Sequence, residues 1–424
     1  MSDRIWFVDD TPSRRFPLYT RGNIGEVFPV VVSPLTWTLY GGQAELGWRD
    51  AWKKFGVLRD RDFGTEPMGI LGCFGGYGYL NASYIRVFAV RTPGLTVEDM
   101  DHQFFAESEA PPYAARPGDR DLLASLRVVR RILATLSTKA LPALEEDKRR
   151  VAAWLHTLPA AGDAPDDSLL AALRSFKAEF RHLFGRHILM TFQTSVARGL
   201  LAQICEQKLR DPTLTNRLLG GIGEVESAAP SFAMWELSRL DAGTPEFDTR
   251  FASFLEEFGS RGPNEWEGSS ETWGTQPELA LAAIDCMRTA DDGRSPRVHQ
   301  DQLAREREAA MVLARSRLGA GARFQFDRAL RSATLFSQAR ERSKTTVVRA
   351  LHGARLVERE LASRARDRGG PPDLTDMWLV SEAELPGYVR APAEFTSRLD
   401  ERRQLRDRLA ALVPPDFIRS RTRL

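Results

Sequence analysis

A mainly α-helical protein is what this sequence predicts: a large multi-helix body, an irregular N-terminal segment rich in glycine, proline and aromatics, and a few short strands. Three observations predict it. Beyond residue 118, leucines, isoleucines and valines recur at three- and four-residue spacing over long stretches. Turn residues punctuate those stretches at their ends. A hydrophobic fraction of 42% beside 27% charged residues is that of an ordinary globular chain. With 424 residues there is enough chain for two or three domains or one large helical body. The boundaries read as 1–118 for the N-terminal segment, packed on the helical body, then 119–370 for the helical domain. Residues 371–424 read as a short strand plus a charged helix.

Ile5-Trp6-Phe7-Val8 is a strand-like run ended by Asp-Asp-Thr-Pro. Ser33 before Pro34 is a good helix start, with proline in the first turn and apolar residues beyond. Gly75-Gly76-Tyr77-Gly78-Tyr79 is a glycine-rich bend ahead of an apolar run over 85–90. It lacks the Lys-Ser/Thr that would open a helix after a phosphate loop. Leu122, Leu123, Leu126, Val129, Ile132, Leu133 and Leu136 share helical spacing, so their face is expected to be buried, as is that of residues 347–361. A polar turn over 160–168 precedes two amphipathic helices, 169–184 and 188–209. A short helix over 232–240 and another over 247–258 follow. Residues 299–317 and 324–366 give the longest helical patterns, separated near Gly319-Ala320-Gly321. Gly369-Gly370-Pro371-Pro372 stops the second. A short apolar run at 377–380 and a charged helix over 393–412 close the chain.

Composition excludes several function classes. Fifty-nine basic residues nearly cancel 57 acidic ones, and the net charge of +2 gives no reason to expect nucleic acid. Arginines of the last third alternate with acids at helical spacing and read as a solvated face. Cys73, Cys205 and Cys286 are far apart and in no metal-ligand spacing, as reduced thiols of a cytoplasmic protein would be. No stretch approaches the length and apolarity of a membrane span, and Met1-Ser2-Asp3-Arg4-Ile5-Trp6 lacks the blocks of a signal peptide.

Two segments carry candidate chemistry. In Glu256-Glu257-Phe258-Gly259-Ser260-Arg261-Gly262-Pro263-Asn264-Glu265-Trp266 a helical pattern ends at glycine and turns on Gly-Pro. Arg261 and Glu265 are thereby set among Trp235, Trp266 and Trp273. Such loops on a rigid scaffold commonly carry binding residues, although the Arg–Glu pair could equally just pin the loop. In Arg340-Glu341-Arg342-Ser343-Lys344 the cations Arg340 and Lys344 are four apart, on one helix face. That face continues through Val347, Val348 and Leu351, so two cations head an apolar stripe and call for a nearby anion. Glu265, Glu341 or a phosphoryl group could supply it. His182 and His187 are slightly off a common face, without a carboxylate at ligand spacing, which argues against zinc. His352 lies midway along a long helical pattern and reads as a helix histidine.

These blocks resemble the middle, substrate-binding region of phosphoenolpyruvate synthase-like phosphotransferases, among them the rifamycin phosphotransferases. The Phe258-Gly259-Ser260-Arg261-Gly262-Pro263-Asn264-Glu265 run resembles the F-G-x-R-G-P-x-E signature, and Arg340-Glu341-x-x-Lys344 the R-E-x-x-K spacing. Asn23-Ile24-Gly25-Glu26-Val27 with Ser33-Pro34-Leu35-Thr36-Trp37 resembles the opening of that region. Met377-Trp378-Leu379-Val380 resembles its close. The blocks keep the family order along nearly the whole chain.

The resemblance implies that Arg340 and Lys344 neutralise a phosphoryl group in transfer. It implies that Glu265 is an acceptor-side base or orients Arg261, and that Arg261, Trp266, Asn23, Glu26, Thr36 and Glu341 contact the acceptor. Full enzymes of this family also carry an ATP-grasp domain and a swivelling phosphohistidine domain, which are not found in this sequence. The expectation is therefore a substrate-binding phosphotransferase component, inactive alone. It would bind no cofactor itself, leaving ATP and Mg2+ to a partner chain that also bears the phosphohistidine. The acceptor would be a hydroxylated, aromatic or hydrophobic small molecule. The alternatives are a non-catalytic helical scaffold or ligand-binding protein, and one part of a split rifamycin phosphotransferase.

Overall fold

The computed structural model describes residues 5–105, 110–159, 162, 164–223, 226 and 228–419. The extreme ends of the chain, and Ala160, Ala161 and Asp163 of the expected polar turn, lie outside them. Among the described residues are sixteen α-helices and four short strands. The mainly α class is therefore as the sequence predicts.

The N-terminal part is more regular than its composition suggests. It holds β1 (Leu18–Thr20), α1 (Gly22–Val27), α2 (Pro34–Thr36) and α3 (Gly42–Phe55), with a π-helical turn at Trp37–Gly41 joining the last two. Next come β2 (Leu71–Phe74), β3 (Tyr77–Leu80), α4 (Ala82–Arg91) and α5 (Val97–Phe104). Ser33 caps α2 as its sequence predicts, its side chain accepting from Thr36 N–H with Pro34 in the first turn. The Gly75-Gly76 bend is a two-residue hairpin turn, both glycines at positive φ, 58° and 81°. Residues 5–8 are not a strand. They form a turn, with Trp6 fully buried and its backbone N–H bonded to Asp9. Their apolar character serves the core instead of a sheet.

The body comprises α6 (Leu122–Ser137), α7 (Pro142–Thr157), α8 (Asp166–Leu209), α9 (Leu214–Leu219), α10 (Ala229–Ser238), α11 (Pro245–Phe258), α12 (Glu278–Arg288), α13 (Pro296–Arg317) and α14 (Ala320–Asp367). Two expected helices, 169–184 and 188–209, are one continuous helix. Gly185 does not break α8; it marks where α8 crosses α3. A Cβ on Gly185 would meet Gly47 O at 2.9 Å, and one on Gly47 would meet Arg181 O at 2.8 Å. The two glycines let the backbones touch.

The leucine face of α6 is the clearest departure. Leu122, Leu123, Leu126, Val129 and Leu133 are exposed; Ile132 of the expected face is buried, but beside Ala124, Val128 and Thr135 of the neighbouring face. Periodicity marks a face but does not say which neighbour meets it. On α14 the expectation is met, with Val347, Val348, Leu351, Ala354 and Leu361 all buried.

After α14, residues Leu374–Leu379 form a 3₁₀ turn, not the expected strand. The chain continues through α15 (Leu385–Arg390), α16 (Thr396–Ala410) and β4 (Phe417–Arg419). Met377, Trp378, Leu379 and Val380 are all buried there, packed into the main hydrophobic cluster. The terminal strand β4 pairs antiparallel with β1, Tyr19 opposite Ile418, completing a sheet of order β2-β3-β1-β4. One hydrophobic cluster runs from Trp6 through Tyr19, Trp48, Phe180 and Val347 to Ile418. Smaller clusters lie among α10, α11 and α12, and around the ends of α8, α13 and α14.

Candidate functional site

The loop after α11 is held at its neck by its own backbone. Gly274 N–H donates to Gly259 O, and Trp273 N–H donates to Arg261 O, each at 2.8 Å. Deeper in, α14 fixes it. Arg355, 1% exposed, donates to the carbonyls of Glu265 (2.9 Å), Glu267 (3.0 Å) and Gly268 (3.2 Å). From the other side, buried Glu267 accepts from Ser33 N–H at 3.2 Å, from Ser33 Oγ at 2.5 Å and from Thr36 Oγ1 at 2.6 Å. These buried hydrogen bonds from both sides fix the loop, although Arg355 Nη1 and Asn264 Oδ1 stay buried without a hydrogen-bond partner among the described residues.

On that loop Glu265 meets two cations. Lys344 Nζ lies 3.1 Å from Glu265 Oε1, and Arg261 Nε lies 3.1 Å from Oε2. The expected proximity of the Arg-Gly-Pro loop is thus present for Lys344, while Arg340 lines the same cleft without an ion pair to the loop among the described residues. The Arg261 contact is an ion pair without hydrogen-bond alignment, and Oε2 is sealed from solvent. Arg340, one turn before Lys344, is half-exposed and pairs with Glu341 at 3.5 Å among the described residues.

The facing wall comes from α8. His187 hydrogen-bonds through Nδ1 to Ser343 Oγ, 3.1 Å away. Ser343 spends its own proton on Arg340 O at 2.9 Å, so Nδ1 carries the hydrogen and Nε2 keeps its lone pair. Enclosure by protein, reinforced by the positive charges of Arg340 and Lys344, lowers the His187 pKa to about 3. The ring is therefore neutral at physiological pH. Trp266 packs nearby, its ring centroid 6.0 Å from Phe184 and 6.2 Å from His187.

These groups line a cleft of about 2070 Å³. Of the sequence-predicted residues, Glu265, Trp266, Arg340, Glu341, Lys344, Asn23, Glu26 and Thr36 all line it. Asn23 and Glu26 reach it from α1, and no hydrogen bond or ion pair joins them to the Glu265 cluster among the described residues. Thr36, 2% exposed, has its hydroxyl committed to Glu267 and to Gly268 N–H. Arg261 borders a separate small hollow beside Lys148 and Arg349.

Sequence reasoning passed over three residues. Arg355 continues the Lys344, Val348, Leu351 face by one more turn, and that spacing could have revealed it. His187 was weighed only as a metal ligand; Phe184, Thr191, Thr194 and Arg198 share its face and also line the cleft. Glu267 had no signal, because its partners Ser33 and Thr36 lie more than 230 residues away. His352 sits within α14 as expected, its Nδ1 3.2 Å from Thr272 Oγ1, and burial lowers its pKa to about 4.

No group of three or more metal-ligating side chains lies together among the described residues, and no helix among them is long and apolar enough to cross a membrane. No curated protein matches the chain. Residues 237–341, about a quarter of it, match the model of the rifampicin phosphotransferase fourth domain. That span runs from the end of α10 to Glu341, taking in Arg261, Glu265, Trp266 and Arg340. The Arg-Gly-Pro loop and the start of the cation pair thus lie in a segment similar to a rifampicin phosphotransferase domain.

Proposed function

We propose that this chain is the acceptor-binding body of a dikinase-type phosphotransferase. It holds a hydroxylated, hydrophobic or aromatic acceptor in the cleft. A phosphohistidine on a partner domain or chain, charged there from ATP and Mg2+, delivers its phosphoryl group. The observation that carries this reading is the pair Arg340 and Lys344 lining a large cleft, inside or beside the segment similar to a rifampicin phosphotransferase domain.

Phosphoryl transfer asks little covalent help of the acceptor site; positioning and charge stabilisation dominate. Arg340 and Lys344 would offset the charge of the group in flight. Glu265, clamped by Lys344 and Arg261 with one oxygen sealed, suits orienting the cations better than taking a proton. Trp266 and Phe184 supply an aromatic wall for the acceptor.

The test is reconstitution. The purified chain alone should neither hydrolyse ATP nor take up radioactive phosphate. Mixed with its ATP-grasp and phosphohistidine partners, it should confer transfer to a hydroxylated acceptor. Acid-labile phosphate on His352 of the isolated chain would sink this reading, and failure to support transfer in the complete mixture would favour a non-catalytic ligand-binding protein.

A further inference from the structure

We propose that His187 Nε2 holds the acceptor hydroxyl and takes its proton as the phosphoryl group arrives between Arg340 and Lys344. This rests on the phosphotransferase reading above and assigns the acceptor-side base that Glu265 is badly placed to be.

Three observations converge on Nε2. The Nδ1–H···Ser343 Oγ bond, fixed by Ser343 donating onward to Arg340 O, sets the tautomer and leaves a lone pair on Nε2. The ring lines the cleft, and the hydrogen bond it makes to a side chain, with Ser343, runs through Nδ1, on the side of the Arg340 carbonyl that Ser343 also meets. Ser343 lies between Arg340 and Lys344 in sequence, so the residue that orients the base belongs to the turn of α14 that presents the cations. A hydroxyl held at Nε2 would then be near the place where those cations receive the phosphoryl group.

The charged groups around His187 make its basicity conditional. Arg340 and Lys344 from α14 both act to keep it unprotonated. Glu265, from the loop, is turned to Lys344 and Arg261. On α8, Arg186 is tied to Asp147 of α7, which also takes His182. Arg198, farther along α8, itself feels Arg340, so the junction of the two helices holds an excess of positive charge. A phosphoryl dianion seated there reverses the field at the imidazole, and the ring becomes a better base when the group to be transferred is present. In the step itself the acceptor oxygen forms its bond to phosphorus. The phosphorus–nitrogen bond of the donor breaks, its electron pair returning to the donor imidazole. The hydroxyl proton passes to Nε2 and from there to solvent, which returns a proton to the departing donor imidazole so that it leaves as the neutral ring.

The isolated chain suffices for the first test, with inorganic phosphate as the probe. Binding is followed by calorimetry in wild type and in Arg340→Ala/Lys344→Ala. The His187 ring nitrogens are followed by 15N NMR across pH, assigned by their loss in His187→Gln. Expected are phosphate binding that the double variant abolishes, an Nδ1–H tautomer, and a His187 midpoint raised by about one pH unit or more with phosphate bound. If phosphate binds but the midpoint stays put, or Nε2 carries the hydrogen, the assignment of His187 is overturned while the phosphotransferase reading stands. If phosphate does not bind at the cation pair, that reading of the pair falls, and this inference with it. In the reconstituted system His187→Gln and His187→Phe should each lower kcat by about 10²-fold, without changing phosphorylation of the partner's histidine. Full activity in His187→Gln, which keeps a hydrogen-bonding amide but cannot take the proton, would overturn the base role.

Discussion

Lys344 of α14 and Glu265 of the loop after α11, seventy-nine positions apart in the chain, meet with Nζ 3.1 Å from Oε1. Glu265 is 8% exposed and shares its charge with Arg261, so two cations converge on one carboxylate. The local balance leaves positive charge toward the cleft, where Arg340 adds to it.

Removing that charge should be costly in transfer. Lys344→Ala should slow transfer by about 10²-fold in the reconstituted system, the scale of losing one preorganised charge contact. Phosphorylation of the partner's histidine should be untouched, since that half-reaction occurs elsewhere. Single-turnover assays with radiolabelled partner separate the two steps.

Glu265→Gln should distinguish orientation from proton transfer. As an orienting group, Glu265 should lose about tenfold or less, because the amide keeps the shape and one acceptor oxygen. A loss of about 10³-fold, with disappearance of the acidic limb of the pH–rate profile, would instead make Glu265 the base.

The carbonyl clamp of Arg355 should be a stability determinant of the loop. Arg355→Met leaves three buried carbonyls without their donor, at a cost of about 3–5 kcal/mol. Urea denaturation measures it, and hydrogen exchange over residues 262–271 should rise sharply. Unchanged exchange would mean that the Ser33, Thr36 and Glu267 contacts hold the loop without it.

His352 should contribute a pH-dependent term. Burial lowers its pKa to about 4, so between that value and the ordinary 6.5 the unfolded chain binds a proton that the folded one refuses. Stability from this group is complete above about 6.5 and lost as pH falls toward 4, by about 3 kcal/mol. His352→Gln should flatten the stability profile in that window by this amount. An identical slope in the variant would show that other groups set it.

Gly185→Ala should destabilise the crossing of α3 and α8. Its Cβ would stand 2.9 Å from a backbone oxygen, which cannot swing aside, and the cost should be about 1–3 kcal/mol. Thermal unfolding checks it.

Local sequence pattern was enough for α6, α11, α13 and α14, for both halves of α8 though not their continuity, for the cap at Ser33, the stop at Gly369 and the cation pair on one face of α14. Each is a local matter: side-chain spacing, a capping hydroxyl or a glycine's backbone freedom is written within a few residues. Tertiary structure alone decided which side of α6 is buried, since an apolar stripe states an opportunity for contact and not the neighbour that takes it. It also decided that Gly185 joins two helices where it could have separated them, because the reason lies on α3. The same holds at the site. Arg340 and Lys344 announced a missing anion, but Glu265 answers it only because Arg355 and Glu267 hold the loop in place. His187 takes its tautomer from Ser343, 156 positions away. Long-range hydrogen bonds have no period in the chain, and the chemistry of this cleft depends on them.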